Sequence, residues 1–68
     1  MSISRVTEIK SSSPKGFEDA IKLGIARTTK TLKNVKSAWI QDQEVLVDEN
    51  GKVCEYRVAM KVTFILEE

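Results

Sequence analysis

The chain has 68 residues, with 11 Lys and Arg against 10 Asp and Glu and no His. We expect one domain spanning residues 1–68 with a thin core, because a chain this short buries only about 60% of its unfolded surface. The near-neutral charge argues against a nucleic-acid partner, and no apolar run approaches the roughly 20 residues that cross a bilayer, so no membrane partner is expected either.

The first predicted element is a short strand over residues 3–10. Ile3, Val6 and Ile9 recur among charged residues, which is a β-rich composition. The alternation of apolar and polar positions is imperfect, so the strand has room for a bulge.

The second predicted element is an amphipathic helix. Ser11-Ser12-Ser13-Pro14 indicates its start, because a serine hydroxyl can cap the first turn and proline suits the first helical position. Apolar and small residues then follow at spacings of three and four over about five turns. That stripe consists of Phe17, Ala20, Ile21, Gly24, Ile25, Thr28 and Leu32. Gly24 indicates either a close backbone neighbour or a simply tolerated glycine.

The last two predicted elements form a β-hairpin. Val35 to Asp48 is β-rich, and Asp48-Glu49-Asn50-Gly51 is typical of a tight turn. From Cys54 to Leu66 the even positions are apolar, so they are expected to face the core. The fold class is therefore α+β with the order β-α-β-β. A three-stranded antiparallel sheet, in the order 1-3-2, packs on one amphipathic helix.

The hairpin register depends on the length of the loop. A two-residue Asn50-Gly51 loop and a three-residue loop over 49–51 place opposite faces of the second strand beside the apolar face of the third. We favour the longer loop, with Gly51 left-handed. It sets Trp39, Gln41 and Gln43 on the face of Arg57, Ala59 and Lys61, away from the helix, and Ala38, Ile40 and Leu46 beneath the helix. The uncovered face then carries Trp39, Val45, Val47, Ala59 and Ile65, which need a partner chain.

The single cysteine and the absence of His limit the cellular location and the catalytic chemistry that we expect for this chain. Cys54 cannot form an internal disulfide, and residues 1–8 are too charged for a signal peptide, so a cytoplasmic location is expected. Cys54 is at an inward-pointing position, which predicts an inert, buried thiol. No combination of nucleophile and base is available, so the sequence does not predict an enzyme.

Carboxylates offer a weak signal for a cation site. If subunits assemble, these carboxylates could together bind a hard cation. An exposed carboxylate is usually only solvated, however, so we predict no metal site. The residues concerned are Asp42, Glu44, Asp48, Glu55, Glu67 and Glu68.

Trp39 and Arg57 are the candidate binding residues that follow from the predicted strand pattern alone. A tryptophan on the uncovered face is an interface anchor or a stacking platform for a planar ligand. Arg57 can pair with a carboxylate across an interface or hold the polar edge of a ligand, and the salt bridge is favoured.

Four segments and the order of elements resemble the dodecins, a family of small β-α-β-β proteins. The segments are Arg5-Val6-Thr7-Glu8-Ile9, residues 12–21 (SSPKGFEDAI), residues 26–32 (ARTTKTL) and residues 56–64 (YRVAMKVTF). The resemblance implies a homododecamer that forms a hollow shell and binds and sequesters a flavin such as FMN or riboflavin.

The resemblance also implies site residues, and this sequence departs from them. In flavin-binding members, tryptophans from two symmetry-related subunits sandwich a pair of flavin rings, and a glutamine of the last strand bonds the ring edge. These positions fall at Ser37 and Arg57, and Trp39 lies two residues further along the same face, as a displaced platform or as a plug. The nucleotide-binding arginines of some members fall at Glu44 and Ile65. Ser37, Trp39 and Arg57 are therefore the candidate cofactor-binding residues, and a shell without flavin, with a structural, ion-binding or other storage role, is the alternative.

Overall fold

A computed structural model describes residues 3–66 of the chain. Its elements are β1 (Ile3–Ser13), α1 (Phe17–Thr28), β2 (Val35–Val47) and β3 (Val53–Leu66). The strands form one antiparallel sheet in the order β1-β3-β2, and α1 covers one of its faces. The fold class, the element order and the central position of β3 are thus confirmed.

β1 and β3 pair in a continuous register from Ile3 opposite Leu66 to Ser13 opposite Tyr56. The bulge for which the sequence left room in β1 is therefore absent from this ladder. β1 is also three residues longer than predicted, because the serines after Lys10 continue the pairing with β3 instead of beginning a helix.

The turn between β2 and β3 confirms the three-residue loop. The Asp48 amide donates to the Lys52 carbonyl over 2.8 Å, and Gly51 has a φ of 78°, the left-handed conformation that glycine adopts without strain. The Asp48 carboxylate accepts further bonds from the Asn50 and Lys52 amides. The loop is therefore closed by both backbone and side chain.

Bulges in β2 correct part of the predicted face assignment. The register shifts at Gln41, so that Ile40 lies opposite Met60 while Asp42 lies opposite Ala59. One inserted residue moves every following side chain to the other face. Gln43 and Val45, opposite Val58 and Tyr56, are therefore on the helix side, and Leu46, opposite Glu55, is on the far side, contrary to the prediction. Trp39, Ala38 and Ile40 lie on the faces predicted for them.

The helix is shorter than predicted, with 12 residues instead of about five turns. Ser13 belongs to β1, where its hydroxyl donates to the Asp19 carboxylate over 2.5 Å and accepts from the Lys15 amide over 3.0 Å. Pro14 precedes the helix, and Gly16 is its N-cap, without a capping side-chain bond. At the other end, the Thr29 and Thr31 hydroxyls bond the carbonyls of Ala26 and Thr28, which competes with helix continuation.

The core lies between α1 and the middle of β3. Val58, Met60 and Val62 are buried together with Ala20, and Ile9, Ile25 and Ile40 are among the apolar side chains that pack against this cluster. Gly24 is buried where a Cβ would come within 2.8 Å of Met60 Cε and 2.9 Å of Ser11 Cβ. Its close neighbours are thus side chains of β3 and β1.

The hairpin projects beyond the helix, and the molecule measures 53 × 19 × 13 Å. The helix begins at Phe17, whose ring packs edge to face on Tyr56, so the strand residues between Tyr56 and the turn have no cover. We call this uncovered end of the hairpin the hairpin arm. Cys54 lies in it and is exposed, so the prediction of a buried thiol is wrong. Within residues 3–66, no helix is long and apolar enough to cross a membrane.

Candidate ligand-binding site

The sheet face opposite α1, called the outer face here, carries the candidate binding residues. Because directly opposed residues of an antiparallel pair point to the same side, the register arranges this face in rows across β1, β3 and β2. The rows are Ser12-Arg57-Glu44, Lys10-Ala59-Asp42, Glu8-Lys61-Trp39 and Val6-Thr63-Ser37. Nothing in residues 3–66 lies over this face, which leaves its side chains available to a ligand or to another chain.

Trp39 projects from the outer face and is 50% exposed. The ammonium of Lys61, its cross-strand neighbour, lies 5.9 Å from the centroid of the indole ring. A cation in this position is worth about 0.5–1 kcal/mol at an exposed site, and aromatic stacking contributes a similar amount. A planar ligand can therefore displace Lys61 at little cost.

Arg57 forms the ion pairs that the sequence favoured for it, but within its own chain. Its guanidinium lies 4.0 Å from the carboxylate of Glu44 on β2 and 3.8 Å from that of Glu55. The Arg57 side chain is 48% exposed, and exposed pairs of this kind contribute about 0–1 kcal/mol. Arg57 can therefore turn towards a ligand.

The three candidate residues share the outer face but lie in different rows. Trp39 is opposite Lys61 and Arg57 is four residues away along β3, which corresponds to about 13 Å. Ser37, exposed and opposite Thr63, lies about 20 Å from the row of Arg57. A single chain thus does not bring Ser37 and Arg57 to one point.

Between Trp39 and Arg57 the outer face has a depression of about 310 Å³. It forms because the small side chain of Ala59 is flanked by the longer side chains of Lys10 and Asp42, with Arg57 and Glu44 in the next row. We call this depression the Ala59 hollow. A second depression of about 180 Å³, over Ser11 and Ser12, shares Lys10, Glu44 and Arg57 with it.

Carboxylates do not converge into a cation site within the described part of the chain. No group of three or more His, Cys, Asp or Glu side chains in residues 3–66 is placed to hold a metal ion. Glu67 and Glu68, considered as ligands from the sequence, lie outside the described residues. Glu44 pairs with Arg57, and Ile65 lies on the outer face opposite Ser4.

Apart from Arg57, sequence reasoning did not predict the residues around the Ala59 hollow as a binding site. Lys10 was not singled out, and Asp42 and Glu44 were considered only as carboxylates of a cation site or as a departure from the family pattern, because a charged residue in a strand normally indicates only a solvated position. The bulge at Gln41 brings Asp42 and Glu44 to the outer face, and the polar run from Gln41 to Glu44 has no alternation that would reveal it.

Comparisons with known proteins agree with this geometry. Residues 3–67 match the family model described as Dodecin. Calcium dodecin from Mycobacterium tuberculosis is 30% identical over 64 residues, which cover 94% of this chain and 89% of that protein.

Solved structures give the same result. The dodecin from Streptomyces davaonensis is 34% identical with a TM-score of 0.92, and the match covers 98% of this chain and 97% of that one. A tryptophan-to-phenylalanine variant of the Thermus thermophilus dodecin is 32% identical, with a TM-score of 0.91 over the full length of both chains. The family model and these relatives together establish that the chain belongs to the dodecin family.

Proposed function

We propose that this protein is a homododecameric storage shell that binds and sequesters a planar ligand of flavin type on its outer face. The observation that carries the proposal is the half-exposed Trp39, on an uncovered sheet face beside the Ala59 hollow. In this proposal Trp39 stacks on the ring, Arg57 holds its polar edge, and Ser37 lies where flavin-binding relatives place their tryptophan. The role is binding and storage, without a catalytic step.

The shape of the single chain supports self-assembly. Its accessible surface is 5085 Å², whereas a compact protein of this mass exposes about 4300 Å². Its radius of gyration is 14.1 Å, against about 11 Å for a compact chain of this length. The excess lies in the projecting hairpin and the bare outer face, where Trp39, Val47 and Val53 are exposed. Closed symmetric assembly would cover these surfaces.

Titration of FMN or riboflavin with the purified protein tests the ligand, with quenching of flavin fluorescence as the readout. We expect saturable but weak quenching. The guanidinium of Arg57 can donate hydrogen bonds but cannot accept one, so it replaces only half of what a glutamine amide offers. A flat titration with both flavins would refute the flavin proposal and leave the assembly proposal standing.

The second candidate is a shell that binds no flavin and has a structural, ion-binding or other storage role. The position of Trp39, one row from that of Ser37, favours it if the ring fills the pocket instead of supporting a ligand. A relative named calcium dodecin adds a cation as the alternative cargo. The double variant Ser37→Trp, Trp39→Glu separates the two candidates. It should create tight flavin quenching if Trp39 is a plug, and should not improve on the wild type if Trp39 already stacks.

A further inference from the structure

We propose that Asn50, in the hairpin turn, is a site of spontaneous deamidation, a covalent modification that does not depend on the proposed ligand or shell. The backbone nitrogen of Gly51 gives up its proton and attacks the side-chain carbonyl carbon, Cγ, of Asn50. The Cγ–Nδ2 bond breaks, and the amide nitrogen leaves as ammonia. Water then opens the resulting five-membered succinimide at either of its carbonyl carbons, so that aspartate or isoaspartate replaces the asparagine. Water is the only co-reactant.

The turn leaves room for this ring to close. The residues of the range 48–52 are all exposed, and they are polar or glycine, so covering Val47 and Val53 in an assembly does not require burial of the turn. A Cβ added to Gly51 would meet nothing within 4 Å, and glycine itself has no side chain to hinder its nitrogen. The turn is held through the backbone amide of Asn50, whose side chain has no hydrogen-bond partner within residues 3–66. That side chain can therefore rotate towards the Gly51 nitrogen.

One hydrogen bond opposes the reaction. The Gly51 amide donates to the Asp48 carbonyl over 3.0 Å, and the proton in this bond must be lost before the nitrogen can attack. The bond is exposed at the tip of a hairpin, where local opening costs little free energy and does not require unfolding of the sheet. The Asp48 carboxylate, which accepts from the Asn50 and Lys52 amides, favours the closed turn. The folded turn should therefore slow the reaction without preventing it.

Asn34, the other asparagine of the chain, provides an internal contrast. It precedes Val35, whose β-branched side chain crowds the backbone nitrogen that would attack. The Asn34 side-chain amide donates to the Ile65 carbonyl over 3.4 Å, and the Ile65 amide donates to the Asn34 carbonyl over 3.1 Å. Asn34 is thus held to the end of β3 by its side chain and its backbone, and it should remain unmodified.

The modification changes the turn in two ways. Either product adds a negative charge beside Asp48 and Glu49, and like charges repel. Isoaspartate also routes the main chain through its side-chain carbon, which lengthens the backbone before Gly51 by one atom. The bonds between Asp48 and Lys52 close a loop of fixed length, so the longer backbone should weaken them.

Peptide mapping of the purified full-length protein by mass spectrometry, after incubation in warm, mildly alkaline buffer, tests the proposal. The peptide that contains Asn50 should gain the mass of an amide-to-acid conversion and should take up heavy oxygen from labelled water. Isoaspartate should be among the products, since direct hydrolysis of the side-chain amide cannot form it. A synthetic peptide of residues 46–54 is the positive control for the conditions. Unmodified Asn50 where this peptide is converted, or equal conversion at Asn34, would overturn the proposal.

Two variants test the mechanism. In Gly51→Asp the new side chain tolerates the left-handed conformation of the turn, but it crowds the attacking nitrogen and its charge disfavours loss of the amide proton, so conversion of Asn50 should slow several-fold. Asp48→Ala should accelerate conversion, because the Asn50 and Lys52 amides lose their acceptor. Glu49→Gln removes a neighbouring charge and should leave the rate close to that of the wild type. Conversion in Gly51→Asp as fast as in the wild type would overturn the attack by this nitrogen, and conversion in Asp48→Ala no faster than in the wild type would overturn the restraint by the turn.

Discussion

Whether a residue of β2 lies on the outer face or on the helix side depends on whether its partner in β3 has an odd or an even number. Trp39 is exposed there because its partner Lys61 occupies an odd position, whereas Ile40 is drawn towards the core by Met60 at an even one. This much could be predicted from the sequence, since the alternation of β3 is regular. Cys54 shows the limit of the same reasoning, because it has an even number and is nevertheless exposed. The alternation predicts on which face of the sheet a side chain lies, but not whether the helix extends far enough to cover it.

Replacement of Trp39 distinguishes a ligand platform from an interface anchor. Trp39→Ala should abolish flavin quenching and leave the particle mass unchanged, because one stacking contact is small compared with the contacts of an extensive subunit interface. Val47→Ala, at a similarly exposed position of β2 near the turn, should change neither readout. A Trp39→Ala particle that dissociates would identify the ring as an interface anchor instead.

Replacement of Gly24 tests the contact of the helix with the sheet. Gly24→Ala should lower the free energy of unfolding by about 1–2 kcal/mol, because overpacking outweighs the roughly 1 kcal/mol gained in helix propensity. The new Cβ would meet Met60 Cε at 2.8 Å and Ser11 Cβ at 2.9 Å, and the second atom lies on a strand and cannot turn away. Leu23→Ala, on the exposed side of the same helix, is the control in thermal denaturation and should change stability little. A Gly24→Ala protein that melts at a higher temperature than the wild type would contradict the packing described.

Among the elements, those with strong local patterns were predictable and those decided by tertiary contacts were not. The hairpin turn depends on local contacts, because the Asp48 carboxylate accepts from the Asn50 amide and Gly51 adopts the left-handed conformation. The start of α1 is not, because pairing with Tyr56 holds Ser13 in the sheet, although a serine before a proline is typical of a helix start. The bulge at Gln41 leaves no mark in a polar run, so Gln43, Val45 and Leu46 were assigned to the wrong faces.

The central strand β3 supplies most of the buried apolar side chains, so shortening one of these side chains should destabilise the protein. Met60→Ala should lower the free energy of unfolding by about 2–5 kcal/mol, since the side chain is fully buried between α1 and the sheet. Phe64→Ala should cost less, because Phe64 is only partly buried. Leu66→Ala, 37% exposed at the end of β3, is the control in the same thermal denaturation series. Equal melting temperatures for the Met60 variant and the wild type would mean that the faces of β3 are reversed.

At the scale of the whole molecule, the single chain leaves several large apolar side chains exposed. Only Ala20, Val58, Met60 and Val62 are buried apolar residues within 3–66, while the hairpin arm and the outer face expose Trp39 and several valines. A small domain without disulfides or a structural metal commonly gains its stability by oligomerisation. Membership of the dodecin family, together with this shape, is the basis on which we propose a closed shell.

The mass of the purified particle tests that claim most directly. Light scattering coupled to size exclusion should give roughly 90 kDa, about twelve times the chain mass of 7.7 kDa, independent of loading concentration as expected for closed symmetry. A single species with the mass of one chain, stable and folded on dilution, would contradict the proposed closed shell.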